Sequence, residues 1–204
     1  MAGSHPYHHG DLKKALIQAG IEILDEEGLH ELSLRKAARR AGVSHSAPYA
    51  HFTDKQALVA AISTEGFRQL LAQLSAIYAQ YQSDPARLLV ESAWCYLQFG
   101  LGNPAQFKIM LSGVLEKEQD YPDLVAGSMA CYRLLVTIAA DCQAAGVLKP
   151  GSPEMSAITL WSLVHGLASL TLERQVPLES DQPDELKCLL VSLLNQVSTL
   201  PLET

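Results

Sequence analysis

Apolar residues recur along this chain every three or four positions and almost nowhere at every second one, the period of amphipathic helices and not of strands. Leu12, Ala15, Leu16, Ala19 and Ile23 form one such stripe, so a first helix is predicted over about 11–27, stopped by Gly28. A second is predicted over 34–41, with Ser33 as its cap, Leu34, Ala37, Ala38 and Ala41 facing inward, and Gly42 as its breaker. A third, short helix follows Ser44. A fourth opens at Thr53, whose spacing to Gln56 fits a capping box with Asp54 in the first turn, and extends to about Tyr81. Beyond it, "SDPA" (83–86), "GNPA" (102–105), "YPD" (121–123), "PGSPE" (150–154) and "DQPDE" (181–185) each place a proline where helices open. They predict helices near 85–100, 104–115, 122–145, 153–174 and 183–198. The expected fold class is all-α, with about nine helices and short connections.

A chain of 204 residues, 48% apolar, can bury one good core or two small ones. Residues 8–55 hold three compact helices, and residues 56–204 hold longer, more apolar ones. With the fourth helix growing straight out of the first unit, no flexible linker separates the two expected domains. No apolar run is expected to reach the length of a membrane span, and "MAGSHPYHHGD" lacks the apolar core of a signal peptide, so the expected location is cytoplasmic, with no membrane partner. Cys95, Cys131, Cys142 and Cys188 form no CxxC pair and sit among apolar residues, as buried reduced thiols would; a redox switch is the alternative.

The net charge of −7 argues against a nucleic-acid partner until its distribution is considered. Residues 1–55 hold seven Lys/Arg and seven Asp/Glu, whereas 56–204 hold eight and fifteen. Arg35, Lys36, Arg39, Arg40 and Lys55 stand against Asp54 alone within 35–55. A local basic patch suffices for a phosphate contact, because charges act over only about 8–10 Å in physiological salt. In the same stretch, two short helices joined by a glycine-containing turn form the helix-turn-helix pattern, with Ala38, Gly42 and Val43 making the crossing and Ser44 capping the second helix. Pro48 lies four residues after that cap, at the edge of what a helix start tolerates. A recognition helix needs a short polar face for base edges and phosphates, and His45, Ser46, Tyr49, His51 and Lys55 supply one, with Phe52 pinning it to the core. The competing reading is a helical hairpin that touches no DNA. His45 and His51 lie six apart and so do not share a helix face, and the adjacent His8 and His9 have no carboxylate or cysteine cluster nearby, so no metal and no other cofactor is expected.

The stretch "HHGDLKKALIQAGIEILDEEGLHELSLRKAARRAGVSHSAPYAHFTDKQAL", from His8 to Leu58, resembles the DNA-binding domain of the TetR family of transcriptional regulators. The "AARRAGVS" turn, the "YAHF" end of the recognition helix and the "DKQAL" opening of the next helix carry the resemblance. It implies an all-α homodimer with a three-helix DNA-binding domain, a larger effector-binding and dimerisation domain, and operator DNA as partner. The family's DNA contacts carry over to Ser33, Arg35, Ser44, His45, Ser46, Tyr49, His51 and Lys55. Pro48 and Ala50 depart from the commoner pattern, an apolar residue such as leucine and a longer polar one, and so bear on the base contacts.

Residues 158–173, "ITLWSLVHGLASLTLE", are apolar nearly all round and predict a helix buried on several sides. They also resemble the Trp-His-Gly segment of one TetR subgroup, with Trp161, His165 and Gly166 in the matching places. Trp94, Phe99, Met129, Tyr132, Trp161 and His165 are the candidate effector contacts, and ordinary core packing is the alternative for each. Few charges fall among them, so the expected effector is small, apolar and uncharged. Leu186, Leu189, Leu190, Leu193, Leu194 and Val197 form a stripe that needs a partner surface; the resemblance implies a homodimer through the last two helices. No GxSxG, HExxH or phosphate loop is present, and no carboxylate pair at catalytic spacing stands out, so no enzyme is expected. The expected function is a regulator, a repressor released from its operator by a small molecule. An activator, a ligand-independent regulator, and a helical small-molecule-binding protein without DNA function are the alternatives.

Overall fold

The computed structural model describes residues 9–176 and 183–204; expectations that touch His8 or residues 181–182 lie outside them. Eight α-helices appear among the described residues: α1 (His9–Glu27), α2 (Leu34–Arg40), α3 (Lys55–Tyr81), α4 (Pro85–Gly102), α5 (Pro104–Leu111), α6 (Pro122–Ala144), α7 (Pro153–Leu172) and α8 (Pro183–Leu194). The fold is all-α, and extended pairing among the described residues is confined to an isolated antiparallel bridge between Leu148 and Ser198. Five of the helices begin on a proline, whose fixed φ suits the first helical position and whose missing N–H goes unused there.

The expected third helix is instead a 3-10 turn, Ala47–Ala50. Pro48 is the physical reason: it has no N–H to return to Ser44, and Ala47 N–H takes the Ser44 carbonyl at 3.0 Å. The helix over 104–115 ends early at Leu111, before Gly113 at φ 63°, and the last helix ends at Leu194 rather than near 198. There Asn195 folds the tail back, its Oδ1 accepting from Leu202 N–H at 2.8 Å.

The chain divides into two compact units. One comprises residues up to Phe67 together with Asn103–Ala126; the other comprises Arg68–Gly102 and Gly127–Thr204. The expected boundary at 55/56 falls at the start of α3, one helix of 27 residues, about 40 Å long. In the first unit α1 packs against α2 and α5. Its core joins Leu16, Ile23 and Leu24 of α1 to Leu34 and Ala37 of α2, Phe52, and Leu58 and Ile62 of α3. Gln106 is a buried polar residue of α5, and its Nε2 donates to the Ile62 carbonyl at 3.0 Å. In the second unit α4 packs against α7 and α8, burying Leu88, Leu97, Leu160, Ala168, Leu190 and Leu194.

Two expectations need correction. α6 and α7 each carry an apolar window with a mean hydropathy of 1.4, long enough to cross a bilayer by length and composition alone. Leu134, Leu135, Val136 and Ile138 of α6 and Ile158, Leu160, Leu163 and Val164 of α7 supply that hydropathy. Among the cysteines, Cys131 and Cys142 are buried and Cys95 half-buried, but Cys188 is exposed on α8. Burial pushes the Cys95 and Cys131 thiols up to about 11 and the Cys142 thiol up to about 12. A thiol so raised is a poor nucleophile, so packing is the role of these three.

Replacing Ile23, which is fully buried in the first unit, by alanine should cost about 2–5 kcal/mol. Urea denaturation followed by far-ultraviolet circular dichroism measures it, and a loss below about 1 kcal/mol would show that this core is not close-packed.

Candidate nucleic-acid interface

α2 is only seven residues long and is closed at both ends. Ser33 Oγ accepts from Lys36 N–H at 3.2 Å, satisfying one of the free donors of the first turn. At the other end Gly42 takes φ 70°; its N–H reaches the Arg39 carbonyl at 3.2 Å, and Val43 N–H reaches the Ala38 carbonyl at 3.0 Å. These paired bonds form a Schellman motif, which needs the left-handed backbone that glycine accepts without strain. Ala37 and Ala38 are 0% exposed, so α2 seats on its neighbours with no intervening side-chain bulk.

The turn that follows presents Ser44, His45, Ser46, Tyr49 and Ala50 to solvent and buries Pro48. Ser44 does not cap with its side chain; its Oγ lies 3.2 Å from Ser46 Oγ, and its carbonyl closes the turn. Tyr49 N–H bonds the Ser46 carbonyl at 3.2 Å, a three-residue step that stacks Ser46 and Tyr49 in one row. The Tyr49 side chain is 55% exposed. His51 is half-buried, its ring 6.3 Å from that of Phe52, and Phe52 lies in the core. The cap of α3 is Asp54, one residue later than expected: its Oδ1 accepts from Ala57 N–H at 2.9 Å. A carboxylate at a helix N-terminus gains from the dipole as well as the hydrogen bond, and so displaces the Thr53 hydroxyl from that role.

The basic patch is not five free cations. Lys36 Nζ pairs with Glu27 and, at 3.1 Å, with Glu31. Arg40 pairs with Glu26 at 2.6 Å and reaches Glu27 at 3.5 Å and Glu22 at 3.8 Å. Hydrogen bonds from Arg40 and Lys36 hold the Glu26 and Glu31 carboxyls below the ordinary value. Lys55 turns inward, donating to the Leu29 carbonyl at 2.7 Å and approaching that of His30 at 3.5 Å. It lines a shallow groove of about 540 Å³ with Leu29, His30, Gln56, Val59 and Val114. Ser33 and Arg35 are exposed on α2. The spacing Glu22, Glu26 and Glu27, Glu31 was the sequence signal for this grip: acids four apart on α1 and its turn, matched by Lys36 and Arg40 four apart on α2.

In the second unit, two of the six candidate effector contacts come together. Trp161 and His165 on α7 have ring centroids 6.4 Å apart and are joined through Tyr96 of α4, which the six did not include. The Trp161 indole N–H donates to Tyr96 Oη at 3.0 Å, and Tyr96 Oη lies 3.1 Å from His165 Nδ1. An indole can only donate, so Tyr96 Oη accepts from Trp161, and on the far side of the ring His165 Nε2 lies 3.4 Å from Ser169 Oγ. Burial pushes the Tyr96 phenol up and the His165 imidazole down. Of the others, Phe99 is buried in the core, Trp94 and Tyr132 are half-buried, and Met129 is exposed. Among the described residues no group of three or more His, Cys, Asp or Glu is placed to hold a metal ion.

Closed α2, the Gly42 turn and an exposed polar turn pinned by Phe52 make a helix-turn-helix of the DNA-binding kind. Residues 16–62 match the model of the bacterial regulatory proteins of the tetR family, and residues 89–194 match that of the tetracyclin repressor-like C-terminal domain. The second match alone spans half of the chain, and the chain belongs to the TetR family of transcriptional regulators. Similar proteins include the uncharacterized HTH-type transcriptional regulator YobS of Bacillus subtilis, 26% identical over 60% of this chain and 61% of its own length. The tetracycline repressor protein class G of Vibrio anguillarum is 40% identical over 28% of this chain and 27% of its own length. The chain thus matches less than two thirds of each of these relatives. A Rhodococcus sp. RHA1 protein of unknown function has the same fold over 96% of this chain and 100% of its own, with a TM-score of 0.81 and 29% identity.

His165 generates a pH dependence whose sign follows from its lowered proton affinity. The unfolded chain binds the proton more readily than the folded one, so stability rises with pH around and below the ordinary histidine value of 6.5 and is lost as pH falls. Melting temperatures at pH 5.5 and 7.5 should differ less in His165→Gln than in the parent; an unchanged difference would show that folding leaves the proton affinity of His165 unaltered.

Proposed function

We propose that the protein is a homodimeric repressor that reads a two-fold related operator with its helix-turn-helix and leaves it when a small apolar molecule binds the second unit. The observation that carries the DNA-reading part is the exposed stretch of Ser44, His45, Ser46 and Tyr49, held on a proline-stiffened turn that follows α2. Short polar side chains at the start of the turn suit base edges, and the rigid Tyr49 arm suits a phosphate. Ser33 and Arg35 supply backbone contacts from α2. Lys55 contributes by bracing the Leu29–Glu31 turn, and whatever charge it offers a phosphate is shared with two carbonyls. His51 steadies the end of the turn. The reading sets the protein in the cytoplasm, with its DNA.

Dimerisation is assigned to α7 and α8. On α7, Met155 (62% exposed), Ile158 (44%), Trp161 (39%) and Leu170 (52%) leave apolar surface uncovered, and a second copy is the partner the family provides. α8 offers the small residues Cys188 and Ser192 on its exposed side, which suit close helix approach. The effector is assigned to the neighbourhood of Trp161, His165 and Gly166, which resemble the Trp-His-Gly subgroup, with Tyr96 as the polar contact between α4 and α7. Trp94, Phe99, Met129 and Tyr132 remain candidate walls. No catalytic residue is assigned, since family and fold are those of regulators.

Fluorescence anisotropy on the protein's own upstream intergenic DNA, against scrambled competitor, tests the reading. Sequence-selective, salt-sensitive binding is expected, and Tyr49→Ala should weaken it about tenfold or more while leaving the dimer intact. Binding no better than to scrambled DNA would overturn it. Ile158→Asp should turn the dimer into a monomer in light scattering; an unchanged mass would remove α7 from the interface.

A further inference from the structure

We infer that Arg39 is a second operator-phosphate contact that works with Arg35, and that its neighbours Lys36 and Arg40 are internal struts. The inference rests on the DNA-binding reading above and extends it to a residue that reading does not include. Four cations lie within six residues of α2, and the structure sorts them into two rows. Lys36 and Arg40 are one helical turn apart and both are engaged by the acidic end of α1 and its following turn, through Glu22, Glu26, Glu27 and Glu31. Arg35 and Arg39 are also one turn apart, about 100° round the helix from the first row. Both are exposed, and among the described residues neither has an ion pair or a side-chain hydrogen bond.

The chemistry of the two rows therefore differs. The charges of Lys36 and Arg40 are already neutralised by carboxylates, and a phosphate would have to displace those partners. Arg35 and Arg39 keep their full charge and their planar donors, the form of cation suited to a phosphate oxygen pair. They stand about 6 Å apart along the axis on one row of α2. That helix also carries Ser33 at its start and runs into the Gly42 turn that leads to Ser44 and His45. A cation four residues beyond Arg35 extends the positive strip along α2. The acidic remainder of the chain, which holds the surplus of Asp and Glu, makes this strip the local exception to a net charge of −7.

The salt dependence of binding separates the rows, because each phosphate neutralised adds about 0.9 to the slope of log K against log salt on duplex DNA. The probe is a duplex selected by the protein itself from a random-sequence pool, with anisotropy read from about 50 to 200 mM salt. Arg39→Ala should lower the slope by about 1.8, one contact from each of two subunits. Arg39→Lys should restore most of it, since the charge remains. Arg40→Ala should leave the slope unchanged and lower the melting temperature. An Arg39→Ala slope equal to the parent's, or an Arg40→Ala slope that falls as far, would overturn the assignment. If the parent itself selects no sequence and shows no salt dependence, the DNA-binding reading fails first, and Arg39 with it.

Discussion

A helix of seven residues does not persist in water by itself, because the cost of nucleating it exceeds what so few hydrogen bonds return. α2 is such a helix, and the exposed polar turn of residues 44–50 hangs from it. Its stability is tertiary. Ala37 and Ala38 bring it close to its neighbours, Leu34 fills the core beside Leu16 and Ile23, and Lys36 and Arg40 tie its outer side to α1. Ion pairs as exposed as these contribute little singly; their effect here is orientational. Two cations gripping four carboxylates fix the rotation of α2 about its own axis, and that rotation leaves Arg35 and Arg39 exposed. The Schellman closure at Gly42 then sets the direction in which the chain enters the recognition turn.

The turn gains from being 3-10 rather than α. Pro48 removes the bond that would have tightened an α-helix, but it is buried and its ring holds the backbone at one φ. With Phe52 inserted behind it, the exposed residues Ser46 and Tyr49 project from a segment with few conformations to lose on binding. An ordinary recognition helix achieves the same rigidity through length. Here four residues achieve it through a proline and an aromatic anchor, so the departures at Pro48 and Ala50 alter the shape of the reading surface more than its stiffness.

Helix positions were legible because their punctuation is chemical: prolines open five helices, and Gly28 and Gly42 follow α1 and α2. What stayed hidden depended on pairing across space. Asp54 rather than Thr53 caps α3 because a carboxylate and a hydroxyl compete for one N–H, and the winner depends on where the chain bends. Lys36, Arg40 and Lys55 read as free charges in sequence, since their partners lie five to twenty-six residues away. Tyr96 reads in sequence as one of several aromatics that could line a pocket or pack in the core. Its role arises from a donor-only indole one helix away, which no periodicity of α4 reveals. The place of α5 in the first unit depends on pairing of the same kind: Gln106 bonds Ile62, a contact spanning 44 residues.

Release of a repressor by a ligand is a matter of differential affinity, and a hundredfold loss of operator binding needs about 2.7 kcal/mol of coupling. α3 is the element suited to carry it, because it begins beside the recognition turn and belongs to the second unit from Arg68 onward. Gly66 lies just before that junction, where an added Cβ would meet Met110 Sδ and, at 3.1 Å, Gln106. α5 is thus pressed against α3 one turn before the junction, and Gln106 bonds the α3 carbonyl of Ile62 at the same level. Close packing of this kind moves as a body or not at all. The acid–base grip holds α2 to α1, and the Gly42 turn leads from α2 into the recognition turn, so the packing of the first unit is continuous from α5 to that turn.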